Sequence, residues 1–221
     1  MTGYKLLIFD WDGTLADSAG MIVRAMQSAI GGLKLPSRSD QEIGELIGLG
    51  LNEALMRLYP ELELESLKRL LSGYRAQWLS EGAGEASLFP HALEAVRELH
   101  AQGHRIAIAT GKGRAGLNRS LKHHAELIPM ISSSRTADET ASKPDPLMLR
   151  EILEEEGLAP ADALMIGDTE YDMAMACAIA MPALGVTCGV HEPRRLLDAG
   201  AIAVIEEVAA VPVWLAAQGK L

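Results

Sequence analysis

Asp10 and Asp12 stand two residues apart in the run Asp10-Trp-Asp-Gly-Thr-Leu-Ala-Asp-Ser18, directly after the apolar stretch KLLIF at 5–9. Two carboxylates where a buried strand ends are costly, because an unpaired carboxylate in low dielectric is expensive. A bound cation, or a reaction that needs both acids, removes the difficulty. Other polar groups follow apolar runs in the same way. Residues 105–109 lead into Thr110, Gly111 and Lys112, and residues 163–166 lead into Gly167, Asp168, Thr169 and, one helical turn on, Asp172. Ser142-Lys143-Pro144 precedes Asp145, and the proline restricts the lysine before it. In open parallel sheets the ligand sits outside the carboxyl ends of the strands, where these side chains would meet it.

Some chemistries are excluded. The Thr110-Gly-Lys-Gly113 loop is no P-loop, because Ile106 stands where the earlier glycine is needed. Residues 10–13 make no EF-hand, since the glycine comes too early and no glutamate closes the loop. His123-His124 and the His100/His104 pair read as solvated or capping residues.

The elements that must position these groups show in the patterning. Short apolar runs alternate with helix-period segments, the signature of an α/β fold with a parallel sheet covered on both faces. Strands are expected at 6–9, 105–110, 128–132, 163–167, 183–186 and 201–205. Pro90 and Gly103 bracket one helix, and Pro193 and Gly200 another. Asp145-Pro146 offers an N-cap and first-turn proline for a helix ending at Gly157. About ninety residues separate the first two strands, and they carry helical stripes: Ile22, Met26, Ala29 and Ile30; Leu51, Leu55 and Leu58; Leu67, Leu71, Tyr74 and Trp78. Residues 16–87 therefore read as an all-helical insertion, and residues 1–15 and 88–221 as the sheet core.

The 221 residues are 48% hydrophobic and 23% charged, as in a soluble globular protein. A net charge of −10 argues against duplex nucleic acid or an anionic membrane as partner, and means that an anionic substrate needs a local cation. Cys177 and Cys188 are too few for a disulfide framework, suit a reducing compartment, and read as small buried residues. Residues 173–190 are uncharged and long enough to raise a membrane span, but Pro182, Gly185, Thr187 and Gly189 break them. A helix, a turn at Met181-Pro182 and a short buried strand are expected there instead. The start carries no signal-peptide core. The expected location is cytoplasmic, as a monomer or homodimer.

Taken in order, Asp-x-Asp-Gly-Thr-Leu at 10–15, Thr110, Lys143 and Gly167-Asp-Thr-Glu-Tyr-Asp172 resemble the motifs of the haloacid dehalogenase superfamily over the whole chain. The resemblance implies a Rossmann-like core with a helical cap, and phosphoryl transfer. Asp10 would be the nucleophile and Asp12 the acid and base. Asp10, the Asp12 carbonyl and Asp168 would hold Mg²⁺, with Asp172 in support or as a further contact. Thr110, with backbone N–H groups near Trp11 and Gly111, would bind the phosphoryl group, and Lys143 would keep the nucleophile ionised. An acid at Asp12 favours phosphoester chemistry over halide release, which needs no proton. Residues 46–56, Leu88-Phe-Pro-His91 and Asp17-Ser18 resemble the corresponding segments of phosphoglycolate phosphatases. The expected partner is thus a small phosphomonoester, hydrolysed with Mg²⁺. The alternatives are a sugar-phosphate mutase or a non-catalytic binding protein on this fold. Mutases of this branch carry an arginine where this chain has Leu49, Gly50 and Leu51. Residues 17–87 hold ten acids and seven bases, so no strongly basic face awaits a second anion. Arg24, Arg57 and Arg75 are the candidates to bind a carboxylate, and a broader phosphomonoesterase is equally consistent.

Overall fold

The computed structural model describes residues 3–79 and 85–219. Positions 80–84 of the expected 16–87 insertion, and 1–2 and 220–221 of the expected core, lie outside them. Six parallel strands form one sheet in the order β3-β2-β1-β4-β5-β6: β1 Leu6–Phe9, β2 Arg105–Thr110, β3 Ile131–Thr136, β4 Ala163–Gly167, β5 Ala183–Val186 and β6 Ala203–Ile205. The chain builds outward from β1 to β3, then returns to the other side of β1 as β4. That reversal puts the ligand crevice at the carboxyl ends of β1 and β4.

Both faces of β1 are buried, which explains why it reads as an unbroken apolar run. Leu7 and Phe9 pack with Val96 and Leu99 of α5 (Ala92–Ala101) and Leu117 of α6 (Arg114–His123). Leu6 and Ile8 pack on the opposite face with Met148, Leu149 and Ile152 of α7 (Leu147–Glu156) and Met173 and Met175 of α8 (Glu170–Cys177). The successive side chains of one strand thus serve two layers, as a period of two requires.

A third apolar cluster belongs to the helices between β1 and β2. Met26, Ala29 and Ile30 of α1 (Ala19–Gly32) meet Ile43 of α2 (Asp40–Gly44), Leu55 and Leu58 of α3 (Leu51–Leu58) and Leu70 of α4 (Leu64–Leu79). The chain leaves and re-enters the sheet layer side by side, with Asp17 N donating to Ser87 O at 2.9 Å and Phe89 N to Leu15 O at 2.9 Å.

Three expectations need correction. The strand expected at 128–132 begins at Ile131, because Ala125–Met130 is a 3₁₀ helix containing Pro129. A proline cannot donate to a ladder, so the pairing starts only after it. The strand expected at 201–205 is Ala203–Ile205. Cys177 is exposed and Cys188 only partly buried; neither is in a disulfide. The 173–190 stretch divides as expected among α8, a turn and β5, and no described helix is long and apolar enough to cross a membrane. The short α2, with its Ser39 capping box, had no apolar stripe to announce it. Two C-terminal helices, α9 (Pro193–Asp198) and α10 (Val211–Gln218), complete the fold.

Candidate active site

The crevice is built from the strand ends that the patterning singled out. Asp10 follows β1, Thr110 ends β2, Asp168 follows β4, and all three are fully buried. Lys143 arrives on the segment before α7, and Asp172 on the first turn of α8. Lys143 Nζ lies 2.8 Å from Asp10 Oδ1 and 2.6 Å from Asp172 Oδ1, with neither side chain of the second pair exposed at all. These are ion pairs by distance, but they are not aligned as hydrogen bonds.

Asp10 Oδ1 also accepts from Trp11 N at 2.7 Å, whereas Asp10 Oδ2 is buried with no hydrogen-bond partner among the described residues. Asp168 is held on both sides, by Thr14 Oγ1 at 2.7 Å and Val190 N at 3.0 Å. Asp172 Oδ2 accepts from Thr169 Oγ1 at 2.7 Å and Thr169 N at 3.2 Å, closing a capping box at the start of α8. Asp172 therefore serves the helix start with one oxygen and Lys143 with the other.

Charge does not balance in this enclosure. Asp10, Asp168 and Asp172 each bring an oxygen within 4.8 Å of the others, and one ammonium faces three carboxylates. Burial pushes Asp10 well up, and Asp172 and Asp168 add to that against the pull of Lys143. Burial, then Asp172, pushes Asp168 up to about 7. For Lys143, burial alone would lower the pKa, but the charges of Asp10 and Asp172 outweigh it and hold the ammonium above its ordinary value. The orphaned Asp10 oxygen and the all-oxygen donor set fit a hard divalent cation. The backbone is shaped to the same end: Gly13 has φ +85°, and a Cβ there would lie 2.3 Å from Asp168 Oδ2.

Asp12 stands outside this cluster. Ser18 Oγ donates to its Oδ1 at 2.7 Å, and Lys112 Nζ lies 3.0 Å from both its oxygens. Thr110 Oγ1 accepts from Lys112 N at 3.2 Å and retains its own proton to donate. Trp11 N is spent on Asp10, and the Trp11 ring is buried in the core rather than facing the crevice. Gly111 lies against the 46–50 segment, where a Cβ would come 2.4 Å from Gly48 O and 2.5 Å from Leu49 O. Gly50 N donates to Ser142 Oγ at 2.8 Å, next to Lys143.

Sequence reasoning missed the group around Asp12. Lys112, Ser18, Tyr74 and Trp78 all belong to segments already singled out, but only the fold brings them together. Lys112 Nζ lies 5.2 Å from the centre of the Trp78 ring, which Tyr74 meets edge-on at 6.1 Å. Arg24 and Arg75 are exposed, and Arg57 is engaged with Glu53 at 2.8 Å.

Known proteins resemble this chain over most of its length. The sequence model of the haloacid dehalogenase-like hydrolase family matches residues 7–186. The chain is 32% identical over 197 residues to the probable phosphatase IndB of Dickeya dadantii, covering 86% of this chain and 84% of that one. It is 28% identical to a phosphoglycolate phosphatase of Aliivibrio fischeri, over 92% of each chain. Among solved structures, a haloacid dehalogenase-like family hydrolase from Streptococcus pneumoniae superposes with a TM-score of 0.83 at 26% identity, covering 97% of this chain and 99% of that one.

Proposed function

Because the chain belongs to the haloacid dehalogenase-like hydrolase family, we propose that it is a Mg²⁺-dependent phosphatase acting on a small phosphomonoester of the phosphoglycolate type. The observation that carries this reading is the buried enclosure of three carboxylates and one lysine at the sheet's switch point. Asp10 attacks phosphorus as nucleophile, and the bond from phosphorus to the ester oxygen breaks. Asp12, held by Ser18 and Lys112, gives its proton to the departing oxygen. It then takes a proton from the water that splits the aspartyl-phosphate, which releases phosphate and restores Asp10. Thr110 donates to the phosphoryl group with the Gly111 backbone, and Lys143 keeps Asp10 ionised and offsets phosphoryl charge. Mg²⁺, when bound, would be held by Asp10, Asp168 and the Asp12 carbonyl, with Asp172 in support, and supplies positive charge at the phosphoryl oxygens.

Helices α1–α4 form the cap in this reading, with residues 16–87 as its extent and the paired segments at 15–17 and 87–89 as its hinge. The 46–50 segment reaches the catalytic loops from that side, and Gly111 makes its approach feasible. Gly111→Ala is expected to raise KM severalfold by displacing the Gly48 and Leu49 carbonyls, with a smaller effect on kcat. Steady-state kinetics checks this, and an unchanged KM would remove the 46–50 segment from the substrate site.

Phosphate release from generic phosphomonoesters should require Mg²⁺ and stop with EDTA. Failure to release phosphate from any ester in a metabolite panel containing phosphoglycolate would sink the assignment. A mutase would instead require a bisphosphate activator and release little phosphate. The pH dependence of metal binding has a definite sign. Burial pushes both the Asp168 and the Asp10 carboxyls up, so each holds more readily a proton that the cation must displace, and Mg²⁺ affinity should weaken as pH falls. Calorimetric titration from pH 5.5 to 8.5 reads this directly, and a pH-independent affinity would contradict it.

A further inference from the structure

The crevice holds two ammonium groups, and the mechanism above gives Lys143 a charge to neutralise but Lys112 only the holding of Asp12. Lys143 is sealed between Asp10 and Asp172, with its side chain wholly buried. Lys112 differs: its side chain is 14% exposed, and its ion pair is with the acid that serves the leaving group. The Trp78 ring lies over the ammonium at 5.2 Å, and Arg119 holds that residue in place by donating from Nη1 to Trp78 O at 2.8 Å. An aromatic face over a half-sheltered cation keeps its charge directed and weakly hydrated.

Distances bound what this ammonium can reach. An ester oxygen within hydrogen-bond reach of Asp12 lies within about 6 Å of Lys112 Nζ, the sum of two such contacts. A carboxylate one methylene from that oxygen extends about 3 Å by ordinary bond lengths, which brings it within ion-pair distance when it is turned toward the ammonium. We propose that Lys112, roofed by Trp78, is the specificity-determining cation of the site and receives a carboxylate carried one methylene from the ester oxygen. Phosphate esters of short 2-hydroxy acids, the phosphoglycolate type already proposed, carry a carboxylate at that spacing. This rests on the phosphatase reading, because Asp12 marks the leaving-group side only if it protonates the leaving oxygen. It also supplies the second anion site that the acidic composition of residues 17–87 denied to the cap: the cation comes from the core loop after β2 instead.

The test compares phosphoglycolate with 2-hydroxyethyl phosphate, which replaces the carboxylate by an alcohol at equal length. With Mg²⁺ present, the wild-type protein should favour phosphoglycolate by about 10- to 100-fold in kcat/KM, the scale of a charge-assisted hydrogen bond. Lys112→Gln should erase most of that preference, chiefly through KM, and Lys112→Arg should restore part of it. A binding measurement independent of turnover uses the non-hydrolysable 3-phosphonopropionate and 3-hydroxypropylphosphonate, titrated by calorimetry. The wild-type protein should bind the first about 10-fold or more tightly than the second, and equal affinities would overturn the proposal even if the variants fail to fold. If Lys112→Gln slows both esters equally, Lys112 only holds Asp12 and the proposal is overturned. Hydrolysis of both esters by the wild-type protein without preference overturns it too, leaving the phosphatase reading intact. Hydrolysis of neither overturns both.

Discussion

Asp10→Asn should reduce phosphate release by about 10⁴-fold or more, the scale of losing a nucleophile that acts as part of a unit. The amide is isosteric but cannot attack phosphorus, so no phosphoenzyme should be trapped on acid quenching. The same change should leave metal-free stability equal or higher. It removes one of three carboxylates that share a single ammonium, and burial already disfavours the Asp10 charge. Lys143 retains Asp172 as its partner at 2.6 Å. Mg²⁺ should raise the Tm of the wild-type protein more than that of the variant, since a ligand oxygen has lost its charge. Phosphate release by the variant at the wild-type rate would refute the assignment of Asp10.

Lys143→Met should also abolish turnover, but with the opposite effect on stability. The ammonium is wholly buried, and its removal leaves Asp10 and Asp172 facing each other without a counter-charge. Breaking a buried pair in this way costs about 3–5 kcal/mol. For a chain of this length that is a fall in Tm on the order of 10 °C. A second substitution, Asp172→Asn, should recover part of the loss, because it removes one of the stranded charges. Thermal unfolding of the two single variants and the double variant, without metal, reads the coupling. A Tm for Lys143→Met equal to wild type would mean that the lysine does not neutralise the enclosure. The contrast between the two variants is the sharper test: both should be inactive, and only one destabilised.

Much of this was legible in the chain. Residues 6–9 read as a strand because both faces of β1 are buried, so no polar residue interrupts it. Asp10, Thr110 and Asp168 could be placed because each stands directly after such a run, and strand ends are where a parallel sheet exposes its ligands. The start of β3 was misplaced because Ile128 is apolar but precedes Pro129, and a 3₁₀ turn absorbs it. The short α2 went unseen because a five-residue helix held by a capping box needs no periodic stripe.

The sequence by itself determined that a parallel sheet forms, where β1, β2 and β4 end and which polar groups follow them, since local patterning reports burial. Tertiary structure alone decided the company of Asp12. Lys112 lies 100 residues from Asp12 along the chain, and Trp78 looks like the last member of a core stripe on α4. Their meeting depends on how the helices between β1 and β2 lie over the loop after β2. Periodicity shows which face of a helix is apolar, but not which loop the end of that face will cover. That docking gives an acidic protein a sheltered cation beside Asp12.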